Sequence, residues 1–411
     1  MKQLSVLLLC CFLLTACHKH DDDVEMADLS VLVYIAGDNN LNSFINYDIR
    51  QIIEGSQQLS NRQNLILFID RKGIPPYFLK VASGDTTRLY TCPEELKSSK
   101  PATLKMALQW VKDNYEAKQY GLSLWGHADG WTIKDTPAGS NSRRAYGLDV
   151  TNGSTWMEIP DMARVLDEMC ADKPLRFIFA DCCCFQNIEV AYELRHCTDY
   201  IIASPAEIPG EGAPYHTVIP ALFSSRDDFY QLAVDAYYAQ TSYEGYQEPL
   251  SVVKTEKLED LALVTRSAFI QCLEPLNNEG TNYPDVDQLI YYYNHCHYDM
   301  NDFMMRNTSP EVYAQWKQTF DNTVIYKKMS PVWLSSGGYS YYDAHVPYTD
   351  RSQSEFRDFT MTEERYGGIS MYVPQSTIEM TTRDRTFQQE QSKTINLMQW
   401  YKAAGLDTFR W

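Results

Sequence analysis

The sequence is short of positive charge. Its 411 residues hold 36 Lys and Arg against 54 Asp and Glu, a formal charge of −18. A nucleic-acid binder needs a basic face to meet phosphates, so nucleic acid is not an expected partner. Beyond the first 17 positions there is no run of 18 or more uncharged apolar residues, so nothing in the body reads as membrane-spanning. Internal repeats and low-complexity tracts are missing, which excludes solenoids and low-complexity disorder. No acidic loop has EF-hand spacing. Cys182, Cys183 and Cys184 are consecutive, without the C-x-x-C spacing that lets side chains converge on one tetrahedral zinc. What is present is 44% hydrophobic residues, 29 tyrosines and 11 cysteines. That is enough apolar material for a large core, in one large domain or two smaller ones.

The N-terminus reads as an address. Met1-Lys2 is a short basic start, residues 4–14 are apolar, and Leu14-Thr15-Ala16-Cys17 closes the run. This is the pattern of an export signal spanning residues 1–16. L-T-A-C also resembles a bacterial lipobox, which implies that Cys17 becomes the lipidated first residue. Residues 17–28 then form a hydrophilic tether that includes Asp21-Asp22-Asp23. An acidic run behind a lipid-bearing cysteine resembles the surface-export signal of some Gram-negative lipoproteins. The expectation is an exported lipoprotein held to the outer membrane by its lipid, with the cell surface as an option.

The body alternates apolar strands with helices. Strands are predicted at 30–36, 64–70, 120–125, 175–180 and 200–204, with a hairpin at 77–82 and 86–90. Helices are predicted at 41–54, 103–115, 162–169 and from 188. Strands apolar throughout imply a parallel sheet covered on both faces, an α/β class. Residues 130–147 read as a long polar loop. The second half reads as helical over 217–243, 258–272, 286–297, 310–320 and 392–404, with short strands at 323–328 and 368–373. Residues 29–250 are thus expected to form an α/β core, and 251–411 a helix-rich region that contributes late strands.

In parallel sheets, functional groups sit just past the carboxyl ends of strands. Two such ends carry chemistry here: His127, and Asp181 with the three cysteines. A cysteine nucleophile needs a base to make or keep its thiolate, and histidine titrates near neutrality. Spacing alone leaves small buried residues in a tight turn as an equal reading of the cysteine cluster.

Four motifs in order narrow this: VLVYIAGDNNLN (31–42), LWGHADGW (124–131), FADCCCFQNIEVAYEL (179–194) and ASPAEIPGEGAPY (203–215). Together with GGISMYVP (367–374) they resemble the clostripain family of cysteine peptidases. That resemblance implies a caspase-like three-layer sandwich and an endopeptidase with a Cys/His dyad. The family's nucleophile lies six residues before E-V-A-Y; counting back from Glu189 gives Cys183, and His127 matches the family histidine. The family's oxyanion donors correspond to the backbone N–H groups of Cys183 and Ala128. This chain has Ala128 where the family has glycine, a change that preserves the N–H provided the position does not need a positive φ.

The same resemblance implies cleavage after Arg or Lys, hence protein or peptide substrates with basic residues. Asp181 and Glu211 are then the pocket carboxylates that would meet a guanidinium. Relatives are often zymogens cut in the loop after the histidine, and Arg143-Arg144 in SNSRRA is a candidate self-processing site. The chemistry requires no cofactor. Some relatives use calcium, which enters here only as a structural option with no ligand assigned. An inactive surface-binding lipoprotein that kept the fold is the competing reading. An amidase or transpeptidase using the same dyad ranks below both. Nothing in the residues sets the oligomeric state.

Overall fold

The computed structural model describes residues 26–131, 145–244, 248–276, 282–293, 296–329, 362–375 and 382–411. Cys17, Arg143 and Arg144 lie outside these. The central element is a nine-stranded sheet. Its strands are β1 (Ala27–Gly37), β2 (Gln63–Arg71), β3 (Ile74–Ala82), β4 (Asp85–Thr91) and β5 (Ala117–Gly126), then β8 (Phe177–Asp181), β9 (Tyr200–Ala203), β10 (Leu250–Lys254) and β13 (Val324–Lys328). They lie in the order β13-β10-β9-β8-β5-β1-β2-β3-β4. The five strands from β9 to β2 run parallel. The β3–β4 hairpin and the β10–β13 pair add antiparallel margins.

Alternation along β1 shows how the layers form. Leu32, Tyr34 and Ala36 point into one core, and Val31, Val33 and Ile35 into the other. This is the period-2 geometry of a strand with both faces covered. On one face lie α1 (Ile45–Ser56), α5 (Tyr215–Leu222) and α6 (Phe229–Glu244). The other is covered by α2 (Pro101–Asn114), α3 (Ile159–Cys170), α4 (Ile188–Glu193) and α7 (Leu258–Cys272). Behind these sit α8 (Met300–Asn307), α9 (Pro310–Thr323), α10 (Thr382–Thr394), α11 (Gln399–Ala403) and α12 (Leu406–Phe409). The result is a three-layer α/β sandwich with helices added on one side.

Two small sheets complete it: β6 (Tyr146–Asp149) with β7 (Thr155–Met157), and β11 (Tyr291–Tyr293), β12 (His297–Asp299) and β14 (Ser370–Tyr372). The helix predicted at 286–297 is therefore corrected to two strands. Its run of Ile290 and three tyrosines fits a pleated surface as well as a helix face, and pairing with β14 decides between them. The late strand β10, unanticipated, pairs with β9 and carries the sheet through residue 250, where a core boundary was drawn.

β1 pairs with β2 on one side and β5 on the other, so the strand order reverses between β1 and β5. That crevice at the carboxyl edge is where open α/β sheets place their sites. Gly126 ends β5 there with φ +143°, and a Cβ on it would stand 2.9 Å from Ala36 O. Gly126→Ala is expected to destabilise the fold by about 2 kcal/mol through strain and close contact. A urea titration should show a lower midpoint with an unchanged slope.

Candidate active site

Parallel pairing of β5 with β8 sets Trp125 opposite Asp181. His127 and Cys183 each lie two residues beyond that pair, so both leave the sheet at the same edge on neighbouring strands. The sequence folds sharply after β8. Cys184 takes φ +54°, a left-handed conformation uncommon outside glycine, and its N–H donates to Ala206 O at 2.8 Å. Gln186 N–H donates to Ser204 O at 2.9 Å, and Asn187 caps α4 by accepting from the N–H groups of Glu189 and Val190. The 367–374 segment braces this turn: Ser370 N–H donates to Gln186 O at 3.1 Å, and Tyr372 N–H to Glu189 Oε1 at 3.0 Å.

The turn separates the three cysteines. Cys182 and Cys184 are buried in the protein interior, and only Cys183 is partly open. All eight cysteines among the described residues are free thiols. None of the three, nor His127, belongs to a metal-holding cluster among those residues. Cys183 Sγ accepts from Ile208 N–H at 3.3 Å and lies 3.7 Å from Ile208 O. Burial, and then the carboxylate of Glu207, push the Cys183 thiol well up, against the Ile208 N–H. The thiol is therefore protonated at rest and needs a base.

His127 is half-buried beside Trp156, their ring centroids 6.3 Å apart. Its Nε2 lies 2.6 Å from Asn40 Oδ1, across the crevice from the end of β1. The neighbouring Asn39 fixes this turn: its side-chain amide donates to Ala36 O and Leu148 O, and its oxygen accepts from Leu41 N–H. Neither Asn40 nor Asn39 was singled out by sequence reasoning, although both stand in the GDNN turn.

Ala128 does not take a positive φ, so alanine sits there without backbone strain. Its bridge to Tyr146 is closed by Asp129 N–H to Ala145 O and Gly147 N–H to His127 O, which leaves the Ala128 N–H outside that ladder.

Asp181 is buried beneath the 203–215 loop. Its Oδ2 accepts from Ala213 N–H at 3.0 Å and from Tyr215 O–H at 2.8 Å, while Oδ1 has no hydrogen-bond partner. Burial raises its carboxyl to about 6 against those two donors. Gly212, with φ +63°, admits the carboxylate; a Cβ there would stand 2.8 Å from Oδ2. Glu211 is exposed on the same loop.

A third acid was missed. Asp48 on α1 is fully buried and accepts from Trp125 Nε1–H at 2.8 Å, and its Oδ1 is unpartnered. Burial first, then the Asp181 charge, push it to about 8, with Glu211 contributing a further share. Glu248 was missed as well: it is buried, both its oxygens lack partners, and burial and then Glu207 raise its carboxyl. The available signal was a polar residue on the apolar face of an amphipathic helix for Asp48, and none for Glu248. His216 Nδ1 meets Gln51 Oε1 at 3.0 Å between α5 and α1.

Comparison with known proteins gives concordant results. The sequence profile of the clostripain family matches residues 33–411. Clostripain of Hathewaya histolytica is 27% identical over 220 residues, which cover 46% of this chain and 41% of that protein. The chain thus spans well under half the length of that relative. Among solved structures, a secreted C11 cysteine protease from Bacteroides thetaiotaomicron, bound to an irreversible peptide inhibitor, superposes with a TM-score of 0.73 at 26% identity. That match covers 93% of this chain and all of the other. An inactive zymogen C11 protease from Parabacteroides distasonis gives 0.70 at 26% identity, over 92% and 98% of the two chains. The expected caspase-like sandwich is the fold of this group.

Asp48 yields a test of the site's electrostatics. Its folded carboxyl, raised to about 8, keeps its proton after the unfolded chain's has left near pH ~4. Its contribution to stability is complete below that lower value and is lost as pH rises through 8. Asp48→Asn removes the titration. Its urea midpoint relative to wild type should therefore rise from pH 5 to about pH 8 and level off above it. A difference that stays flat or falls would mean that Asp48 is ionised in the fold.

Proposed function

The chain belongs to the clostripain family, and from that premise we propose that it is a cysteine endopeptidase cleaving after Arg or Lys, with Cys183 as nucleophile and His127 as its acid–base partner. The observation that carries this reading is the shared strand edge: one partly open thiol and one imidazole, each two residues past a paired position on adjacent strands. His127 takes the Cys183 proton as the sulfur attacks the scissile carbonyl. The N–H groups of Cys183 and Ala128 hold the oxyanion of the tetrahedral intermediate. His127 then passes the proton to the leaving amine, and water attacks the thioester to restore Cys183 and release the acid.

Specificity for a basic side chain rests on Asp181 and Glu211. Asp181 supplies a carboxylate oxygen with no protein partner, and Glu211 stands exposed on the loop above it. A guanidinium entering there finds charge-assisted acceptors already fixed by Ala213 and Tyr215.

The competing reading, an inactive binding lipoprotein, drew on Ala128. That ground weakens, because the residue sits without strain and its N–H is not taken by the neighbouring bridge. The assay is direct. The purified protein should cleave Arg- and Lys-ended reporter peptides. Cys183→Ala and His127→Ala should each lose at least roughly a thousandfold in kcat/KM, and Asp181→Asn should lose mainly on basic reporters. Equal rates for wild type and Cys183→Ala would overturn the nucleophile. Loss in Cys182→Ala with Cys183→Ala intact would move it by one residue.

Maturation is proposed at two places. Export would remove residues 1–16 and leave a lipid on Cys17, which anchors the protein in the outer membrane. Self-cleavage after Arg143 or Arg144 would cut the chain behind His127. The intact mass of protein isolated from cell membranes reads both: a diacylglyceryl-bearing N-terminal fragment starting at Cys17 and ending at Arg143 or Arg144. An active protein with an uncut chain would dismiss the processing site, and an unlipidated mass would dismiss the anchor.

A further inference from the structure

The acids around the nucleophile fall into two groups. One holds Asp181, Glu211 and Asp48, with the first two acting on the third. The other is Glu207 with Glu248. Glu248 precedes β10, which runs antiparallel to β9 with Ser251 opposite Ala203. Continuing that register carries Glu248 to the level of Ala206, at the edge where β8 and β9 end. Ala206 O accepts from Cys184 N–H at 2.8 Å, and Ile208 N–H reaches Cys183 Sγ at 3.3 Å. The nucleophile, the 206–208 segment and the start of β10 are therefore neighbours.

Glu248 is 1% exposed, and neither of its carboxylate oxygens has a hydrogen-bond partner. Among the described residues no ion pair reaches it. Lys327, the lysine beside Tyr366, gives its ammonium to Tyr366 O. The Tyr366 hydroxyl, which feels the Glu248 charge, has no hydrogen-bond partner either. Half-buried Glu207 acts on Glu248 and is the leading charge on Cys183, with Glu248 adding to it. Tyr237 on α6 feels both groups, Asp181 and Asp48 from one and Glu248 from the other.

A buried carboxylate with two bare oxygens is costly unless a cation reaches it or it keeps its proton. The basic side chain before the cleaved bond is already met by Asp181 and Glu211. A peptide lying extended over Cys183 sends successive side chains to opposite sides. The residue one step earlier thus faces away from Asp181, and Glu207 with Glu248 is the acid pair left to receive it. We propose that Glu207 and Glu248 form a second pocket, which takes a basic side chain immediately before the one held by Asp181. The preferred substrates are then peptides with two consecutive basic residues. This rests on the peptidase reading above and narrows its substrate class. Glu248 is fixed by its burial, so little ordering is lost when a guanidinium or ammonium arrives. The chain carries one such sequence itself, Arg143-Arg144.

The test compares two reporter peptides on the full chain, identical except for Ala-Arg or Arg-Arg before the cleaved bond. Wild type should favour Arg-Arg by at least roughly tenfold in kcat/KM, the scale of one charge-assisted contact. Glu248→Gln keeps the shape and removes the charge, and should bring that ratio close to one. Glu207→Gln should lower it. A ratio does not move when a variant folds only in part, because both reporters read the same active fraction. Equal rates on the two reporters in wild type overturn the second pocket and leave the peptidase reading in place. A ratio that survives in Glu248→Gln overturns the pocket as well. Cleavage of neither reporter overturns both readings. If Glu248→Gln does not fold, the Glu207→Gln ratio decides in its place, and an unchanged value there overturns the pocket.

Discussion

The parallel register of β5 against β8 is the constraint on which the rest of this molecule depends. Trp125 faces Asp181 in that ladder, and everything chemical follows within two residues on either strand. His127 and Cys183 leave the sheet together because both strands end together. Parallel strands require a long crossover, and the crossover here contains the β6–β7 hairpin and α3. A slip of one residue would turn the indole that holds Asp48 and the carboxylate that underlies the pocket to the opposite face. The register therefore sets where His127 and Cys183 leave the sheet and places Asp181 beside them.

Negative charge at the carboxyl edge is the second theme. Asp48 and Asp181 share one buried region, Glu207 and Glu248 act on Cys183, and Asp38, Asp70 and Asp149 make a third group. Burial on this scale is unfavourable for the isolated fold and is retained where a cation can arrive. For the pocket, the proposed cation is a substrate side chain. The overall −18 is a weak cause beside these local groups, since exposed charge is screened within about 10 Å.

Much of the catalytic half was legible in the sequence. The strands from 30 to 204 stand out as β-branched apolar runs, and the helices between them carry one apolar face. Cys183, His127, Asp181 and Glu211 follow from ordered motifs. The second half was harder to read. Residues 286–297 are apolar enough for a helix, yet β11 and β12 form here as strands, because β14 arrives from about 75 residues away to pair with β12. β10 is a short run whose partner β9 lies far back in the chain. Local pattern carries no information about partners at that distance.

By itself, then, the sequence determined the alternation of strands and helices, the family and the residue types at the strand ends, because periodicity and short motifs are local properties. Tertiary structure alone decided which of three adjacent cysteines is open, that Ala128 sits without strain, that Asn40 meets His127, and that Asp48, Asp70 and Asp149 join other acids in buried groups. Those outcomes depend on φ, on burial and on contacts between segments far apart in the chain. None of these exists until the sheet has closed around them.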